Sequence, residues 1–323
     1  MTWIVWRQQR PVFITLAVGL IVAVAAILLL RAGMVADLSA RNLLDCVGKG
    51  LEACRDKAAF EFQQTWYDRL HLAQGAVIAV PALMGVFVGA PLFAREFEQG
   101  THALAFTQSV SRTRWMVTKF VVAALPALVF VVVFQFAVQS WLDAAGKLGP
   151  LATGPFFFTT FDAQGVSPIA YALFAYTFGM FAGALFKRTL VAMSLTLAAF
   201  VVVRFVLTGV REFMITPTRV RSDDPTVSAV GDRVPLVVDS GFLDDRGAVV
   251  ADAGSRMNCG SRGDEPVVTD LAACYRKNGL AQSYADIIPA DQATTLHLLE
   301  ASIFTGLAAV FVLGAVWAVR RQV

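Results

Sequence analysis

Six long runs of almost unbroken apolar residues constrain this chain more than any other feature. They extend from about Val12 to Leu30, Leu72 to Phe93, Val117 to Val138, Ile169 to Phe186, Leu190 to Leu207 and Leu298 to Val319. Each has about 18 to 22 residues, and a hydrocarbon core roughly 30 Å thick takes about 20 in helical form. Water cannot satisfy backbone N–H and C=O groups in lipid, so each run is expected to be a helix that closes its own hydrogen bonds. Composition agrees, with 57% hydrophobic and 16% charged residues, where a soluble domain carries about one charged residue in four. The fold class expected is an all-α integral membrane bundle of six transmembrane helices, with a small α+β extracytoplasmic domain between helices 5 and 6.

Arg7 and Arg10 precede the first run, as they would in a signal peptide. The run is too long for a signal-peptide core, however, and Arg31-Ala32-Gly33-Met34 offers no A-x-A cleavage site. Residues 1–11 combine Trp3 and Trp6 with these arginines and are expected to form a cytoplasmic amphipathic helix in the headgroup region; the alternative is a disordered basic tail. Residues 12–209 then hold helices 1–5, 210–296 the extracytoplasmic domain, and 297–323 helix 6 with its basic tail.

Lys and Arg set the orientation. Arg7, Arg10, Arg95, Arg112, Arg114, Lys119, Lys187, Arg188, Arg320 and Arg321 all fall on one face, opposed only by Glu96 and Glu98. That face is expected to be the cytoplasm, with both termini there. The opposite loops are rich in Asp223, Asp224, Asp239, Asp244 and Asp245. The net charge of +3 therefore hides a separation by side and gives no indication of nucleic acid as a partner. Cys46, Cys54, Cys259 and Cys274 all fall in loops assigned outside, where thiols oxidise. Three pairings are open; short-loop closure favours Cys46 with Cys54 and Cys259 with Cys274, and four unpaired thiols is the alternative.

In the first outer loop the apolar spacing around Phe60, Phe62, Trp66 and Tyr67 predicts a helix whose aromatics mark the lipid interface. Phe156, Phe157, Phe158 and Phe161 in the second outer loop read the same way. In 210–296, Val234 to Val238 and Ala248 to Ala251 flank Asp244-Asp245-Arg246-Gly247, a strand, turn and strand. About 85 residues bury only a modest core, so a disulfide would matter there.

The one substantial cytoplasmic connection, 94–116, has mixed charge, Gly100, and a short helical stretch with Leu104 and Phe106. It suits docking to a soluble protein, or simply connects two helices. Here the strings EFEQGT and TQSVSRTRW, followed by Lys119, resemble the permease subunits of type-2 ABC exporters, as do Trp3-Ile4-Val5-Trp6-Arg7, FDAQGVSPIAYALFAYTFG from Phe161 to Gly179, and Leu299-Glu300 before Arg320-Arg321. The resemblance spans most of the chain except the outer domain. It implies a bacterial half-transporter that pairs with a second permease, identical or homologous, and binds two cytoplasmic ABC ATPase subunits. Glu96, Glu98, Gly100, Thr101, Leu104 and Phe106 would then form or adjoin the coupling helix, bordered by Arg112 and Arg114. No G-x-x-x-x-G-K-[ST] phosphate loop occurs in the chain, so no cofactor is expected here, and ATP with Mg belongs to the partner ATPase.

Inside the membrane, Gly85 with Gly89 and Gly179 with Gly183 have the G-x-x-x-G spacing of close helix packing, within one chain or at a dimer seam. Pro81 and Pro126 are expected to kink their helices. Arg204 either snorkels to the nearby interface or meets a partner such as Glu300 or a substrate. Gln135 and Gln139 hydrogen-bond between helices or line a path. No Asp, Glu or His lies near the middle of a run, which disfavours ion coupling. His71, His102 and His297 show no metal-ligand spacing, and no hydrolase motif is present. Two function classes follow: the permease of an ATP-driven exporter of an amphipathic or hydrophobic drug, lipid or peptide, and a membrane-anchored sensor or assembly protein that uses its outer domain.

Overall fold

A computed structural model of the chain describes residues 2–49, 54, 57–100, 112–230, 234–259 and 270–321, without the side chains of 2–6, 8 and 112–114. The helices are α1 (Thr2–Ala40), α2 (Lys57–Met84), α3 (Pro91–Glu98), α4 (Arg112–Ala145), α5 (Phe158–Ala163), α6 (Ser167–Phe186) and α7 (Thr189–Val210). Strands β1 (Thr218–Ser222) and β2 (Leu236–Leu243), short helices α8 (Ala253–Arg256) and α9 (Leu271–Lys277), strand β3 (Gln282–Ile288) and helix α10 (Ala293–Arg320) follow. Among the described residues, six helical stretches are long and apolar enough to cross a membrane. The chain forms two compact units, one of Met1–Thr153, Phe157–Thr208 and His297–Val323, the other of Gly154–Phe156 and Gly209–Leu296.

In the first unit α6 is the central element, with 67% of its most apolar stretch buried, against 6% for α1. α1 runs along α4, while α2, α3 and the turn between them pack on α6. The outward faces are apolar as well, with Ile21, Leu29, Leu125, Leu190 and Phe205 each more than 60% exposed. Only a hydrocarbon surround makes such a surface stable.

Helix α2 passes through Pro81 and then widens into a π turn, Gly85–Gly89, in which the Ala90 N–H reaches the Gly85 carbonyl at 2.9 Å. Pro81 supplies no N–H, so the ladder is already interrupted one turn earlier. This turn lies against α6. A Cβ at Gly85 would be 2.7 Å from Ala175, one at Gly89 2.5 Å from the Tyr176 carbonyl oxygen, and one at Gly179 2.6 Å from the Gly85 carbonyl oxygen. Gly183 meets Ala90 and Ala94 in the same way. Both G-x-x-x-G pairs are therefore spent on each other within one chain, and the dimer-seam reading of them is set aside. Helix α4 runs through Pro126 without a break in assignment.

Two expectations about aromatics change. Phe62 and Trp66 are not interfacial but buried with Met34 and Leu38 of α1, and Trp66 meets Trp141 edge-on at 6.5 Å. Both helices continue past their apolar runs, and the Trp66 indole N–H donates to Asp37, which also pairs with Arg41. Phe161 is fully buried, while Phe157 and Phe158 stay exposed. The Cys46–Cys54 bond closes the α1–α2 connection. At its other end, α1 is one continuous helix from Thr2 through Pro11.

The second unit is built on an antiparallel sheet in the order β1-β3-β2. Its central strand β3 buries Tyr284, Ala285, Ile287 and Ile288. Asp244 to Gly247 forms the expected turn, with the Asp244 carboxylate accepting from the Arg246 and Ala248 N–H groups and Gly247 at φ +77°. The strand expected at Ala248 to Ala251 shrinks to one bridge, Leu243 with Val249. Its place beside β2 is taken by β3. A disulfide joins Cys259 to Cys274 of α9.

Gly179→Val should cost about 1–3 kcal/mol through overpacking of the α2–α6 contact. Gly75→Ala, where nothing stands within 4 Å, should leave stability level or raise it by up to about 1 kcal/mol. Thermal unfolding in detergent compares the two. In the sheet, the Arg219 guanidinium bonded at 2.7 Å to both oxygens of Asp286 holds that carboxyl below its ordinary value. A depressed carboxyl stabilises above its unfolded value, about 3.9, and that contribution disappears as pH falls through the lower folded value. Protection factors of β1 and β3 amides in the full chain should fall below about pH 4, and Arg219→Gln should flatten this dependence.

Candidate functional site

The basic ends of several helices converge. Helix α3 carries the chain out of the apolar run and stops where Gly100 adopts φ +69°, with the Gln99 N–H on the Arg95 carbonyl at 3.0 Å and the Gly100 N–H on Phe97 at 3.3 Å. A glycine just past the last helical residue is the usual stop, because only glycine enters the left-handed region without strain. Gly100 thus ends the second membrane stretch and starts the connection toward α4. Thr101, His102, Leu104 and Phe106 lie outside the described residues, as do the side chains of Arg112 and Arg114 at the start of α4.

The two acidic residues before this stop each hold a neighbouring helix. The Glu96 carboxylate meets the Lys119 ammonium of α4, whose side chain is 2% exposed, and that ammonium lies 4.6 Å from the Trp115 ring centre. A buried lysine is costly unless it is paired, so this contact fixes α3 against α4. Glu98 reaches α7 instead. One of its oxygens accepts from the Thr189 backbone N–H at 3.1 Å and from the Thr189 hydroxyl at 2.7 Å. The first N–H groups of a helix lack internal acceptors and favour negative charge, so Glu98 serves α7 as a cap supplied from another helix. Lys187 links α6 to α7 with φ +56°, and only Arg188 stands between it and α7.

At the other end of the bundle, Arg204 is turned inward rather than toward the interface. Its guanidinium meets the Asp162 carboxylate of α5, stands 3.6 Å from Glu300 of α10, and covers the Tyr171 ring of α6 at 3.9 Å. All three charged residues are buried, Glu300 fully. Snorkelling is overturned because two carboxylates offset the desolvation that would otherwise drive the cation outward. Beside this group, Ser167 Oγ lies 2.7 Å from His297 Nδ1, and Phe161 stacks on the imidazole at 3.9 Å. Gln135 donates to the Gly165 carbonyl at 2.6 Å, tying α4 to the α5–α6 connection. Gln139 donates to Asp143 on its own helix. Both glutamines are thus engaged in hydrogen bonds, Gln135 between elements and Gln139 within one helix.

Sequence reasoning reached Arg204 with Glu300 but missed Asp162, Ser167, Tyr171 and His297 as members of one cluster. No local feature of the sequence marks these residues as partners, since Asp162 and Ser167 meet Arg204 and His297 from more than 40 residues away.

A bundle of several long apolar helices, with ionic contacts at their ends and exposed apolar sides, defines a multi-pass membrane protein. Residues 17–211, more than half of the chain, match the family described as "ABC-2 membrane transporter related". The chain belongs to that family. Membership makes it a permease-type component, not itself catalytic, and implies an ABC ATPase partner in a membrane complex. Comparison with curated proteins and with solved structures gives no match.

Arg204→Met would leave Asp162 and Glu300 without their shared cation and should cost about 3–5 kcal/mol. Arg204→Lys keeps the charge but lacks the fork that addresses two carboxylates, and should fall between it and the native protein. Lys119→Met should destabilise on the same scale, and adding Glu96→Gln should recover part of the loss. Detergent-phase thermal unfolding measures each.

Proposed function

We propose that this chain is one half of the membrane domain of an ATP-driven exporter in a bacterial cell membrane, with both termini in the cytoplasm. It pairs with a second permease, identical or homologous, and two ABC ATPase subunits dock on the connection 94–116. The cargo is an amphipathic or hydrophobic compound such as a drug, lipid or peptide, moved outward. ATP and Mg are bound by the ATPase subunits, and this chain needs no cofactor of its own. The second unit lies on the exit side.

The observation that carries this reading is the anchoring of that connection. A segment that passes on the movement of a docked ATPase needs a stiff root. Glu96 grips α4 through Lys119, and Glu98 grips α7 through Thr189. A displacement of α3 is then shared with two membrane helices rather than absorbed in a slack loop. Family membership supports the same reading, as does the gathering of Arg95, Lys119, Lys187 and Arg188 at that end, which favours the cytoplasmic side. ATP binding would draw the ATPase subunits together, and the roots would tilt the bundle between inward- and outward-open states.

The full complex, extracted in detergent, should carry an ABC ATPase that co-purifies with this chain. Glu98→Ala, which frees α7 from α3, should leave the assembly intact but reduce substrate-stimulated ATP hydrolysis several-fold. A chain that purifies without any ATPase, or a Glu98→Ala complex with unchanged stimulation, sinks the exporter reading and leaves a membrane-anchored sensor or assembly protein in its place.

A further inference from the structure

The basic end of the bundle also contains a cavity that the docking of an ATPase does not explain. Its volume is about 350 Å³, and it opens between the start of α1, the π turn that follows α2, helix α3 and the first residue of α7. A smaller cavity of about 230 Å³ adjoins it and shares Gln9, Pro11, Pro91, Leu92 and Arg95. The walls are of two kinds. Val12, Phe87, Val88 and Leu92 are apolar and belong to the ends of membrane runs, and Phe87 is 58% exposed on the lipid-facing side. Gln9, Arg95 and Thr189 are polar, and Arg95 is exposed.

Among the described residues no carboxylate is paired with Arg95. The acids nearest to it in sequence are engaged elsewhere, Glu96, which lines the adjoining cavity, by Lys119 and Glu98 by Thr189. Exposed Arg10, Lys187 and Arg188 flank the same end in sequence and add to a positive field. A site with a cationic rim and a wall that runs into hydrocarbon fits a ligand that is anionic at one end and apolar at the other. A free anion would satisfy the arginine but would leave the apolar wall uncovered. A neutral amphiphile would do the reverse, and a zwitterionic one would bring a further cation into a field that is already positive.

We propose that this cavity binds an anionic lipid of the adjoining leaflet, its phosphate accepting from Arg95 and its first chain methylenes lying on Val12, Phe87 and Leu92. The lipid would bridge α1 to α3 and α7, the two helices joined by Glu98. It is proposed as a bound ligand and not as cargo, so it stands independently of the exporter reading.

The test uses the full chain in non-ionic detergent, with bound lipid counted by native mass spectrometry. Phosphatidylglycerol should be retained over phosphatidylcholine of the same chain length by about tenfold, because both headgroups offer a phosphate to Arg95 but only the choline adds a cation, which the positive field of Arg10, Arg95, Lys187 and Arg188 repels. Arg95→Gln should abolish that preference. Gln9→Trp, which fills the cavity and leaves the arginine in place, should lower phosphatidylglycerol binding by a similar factor, whereas Arg246→Gln in the second unit should change nothing. Equal retention of the two lipids, unaltered preference in Arg95→Gln, or displacement of the lipid by inorganic phosphate would each overturn the proposal.

Discussion

Helices in hydrocarbon gain nothing from hiding apolar surface, because lipid tails are as apolar as leucine. What holds such a bundle together is close contact, and here that contact is the meeting of two glycine pairs. Gly85 and Gly89 lie against α6, and Gly179 and Gly183 lie against the π turn and α3, with backbone atoms where side chains would otherwise stand. At that separation dispersion acts between whole backbones. The seam sets where α6 sits, and α6 in turn presents Tyr171 to Arg204 and Tyr176 to the Phe120 carbonyl of α4.

Charge then works at the two ends of a frame that apolar contact has fixed in the middle. Neither buried ion pair is a strong source of stability, since desolvation cancels much of the attraction. Their value is directional. Lys119 with Glu96, and Arg204 with Asp162 and Glu300, each penalise any arrangement that separates the partners, and thereby select one packing among many that lipid-soluble helices could adopt. Each of these two ionic groups joins two or more helices.

The six long apolar helices were legible because apolar length is read directly from sequence, and the turn at Asp244 to Gly247 because its residues carry their own hydrogen-bonding chemistry. Strand β3 was not legible. Its sequence, Gln282 to Ile288, includes Ser283 and Asp286 and becomes a central strand only because β1 and β2 pair with it from distant positions. The same holds for the cluster around Arg204. Its members come from four helices, and nothing local in Asp162 or His297 announces a partner more than 40 residues away. Phe62 and Trp66 were misplaced for a related reason, since an aromatic near the end of a span looks the same whether it faces lipid or a helix that extends beyond the bilayer.

Helix α7 shows what a few polar contacts accomplish in a medium without polarity. Most of its apolar stretch faces outward, and a rod with apolar residues all round has no preferred azimuth in oil. Two pins set its phase, Glu98 on its first residue and Asp162 with Glu300 on Arg204 near its last turn. The pins lie 15 residues apart, slightly over four turns, so they address nearly the same side of the helix. Rotation about the helix axis must therefore break both together, whereas a tilt that swings one end can keep the other as a pivot.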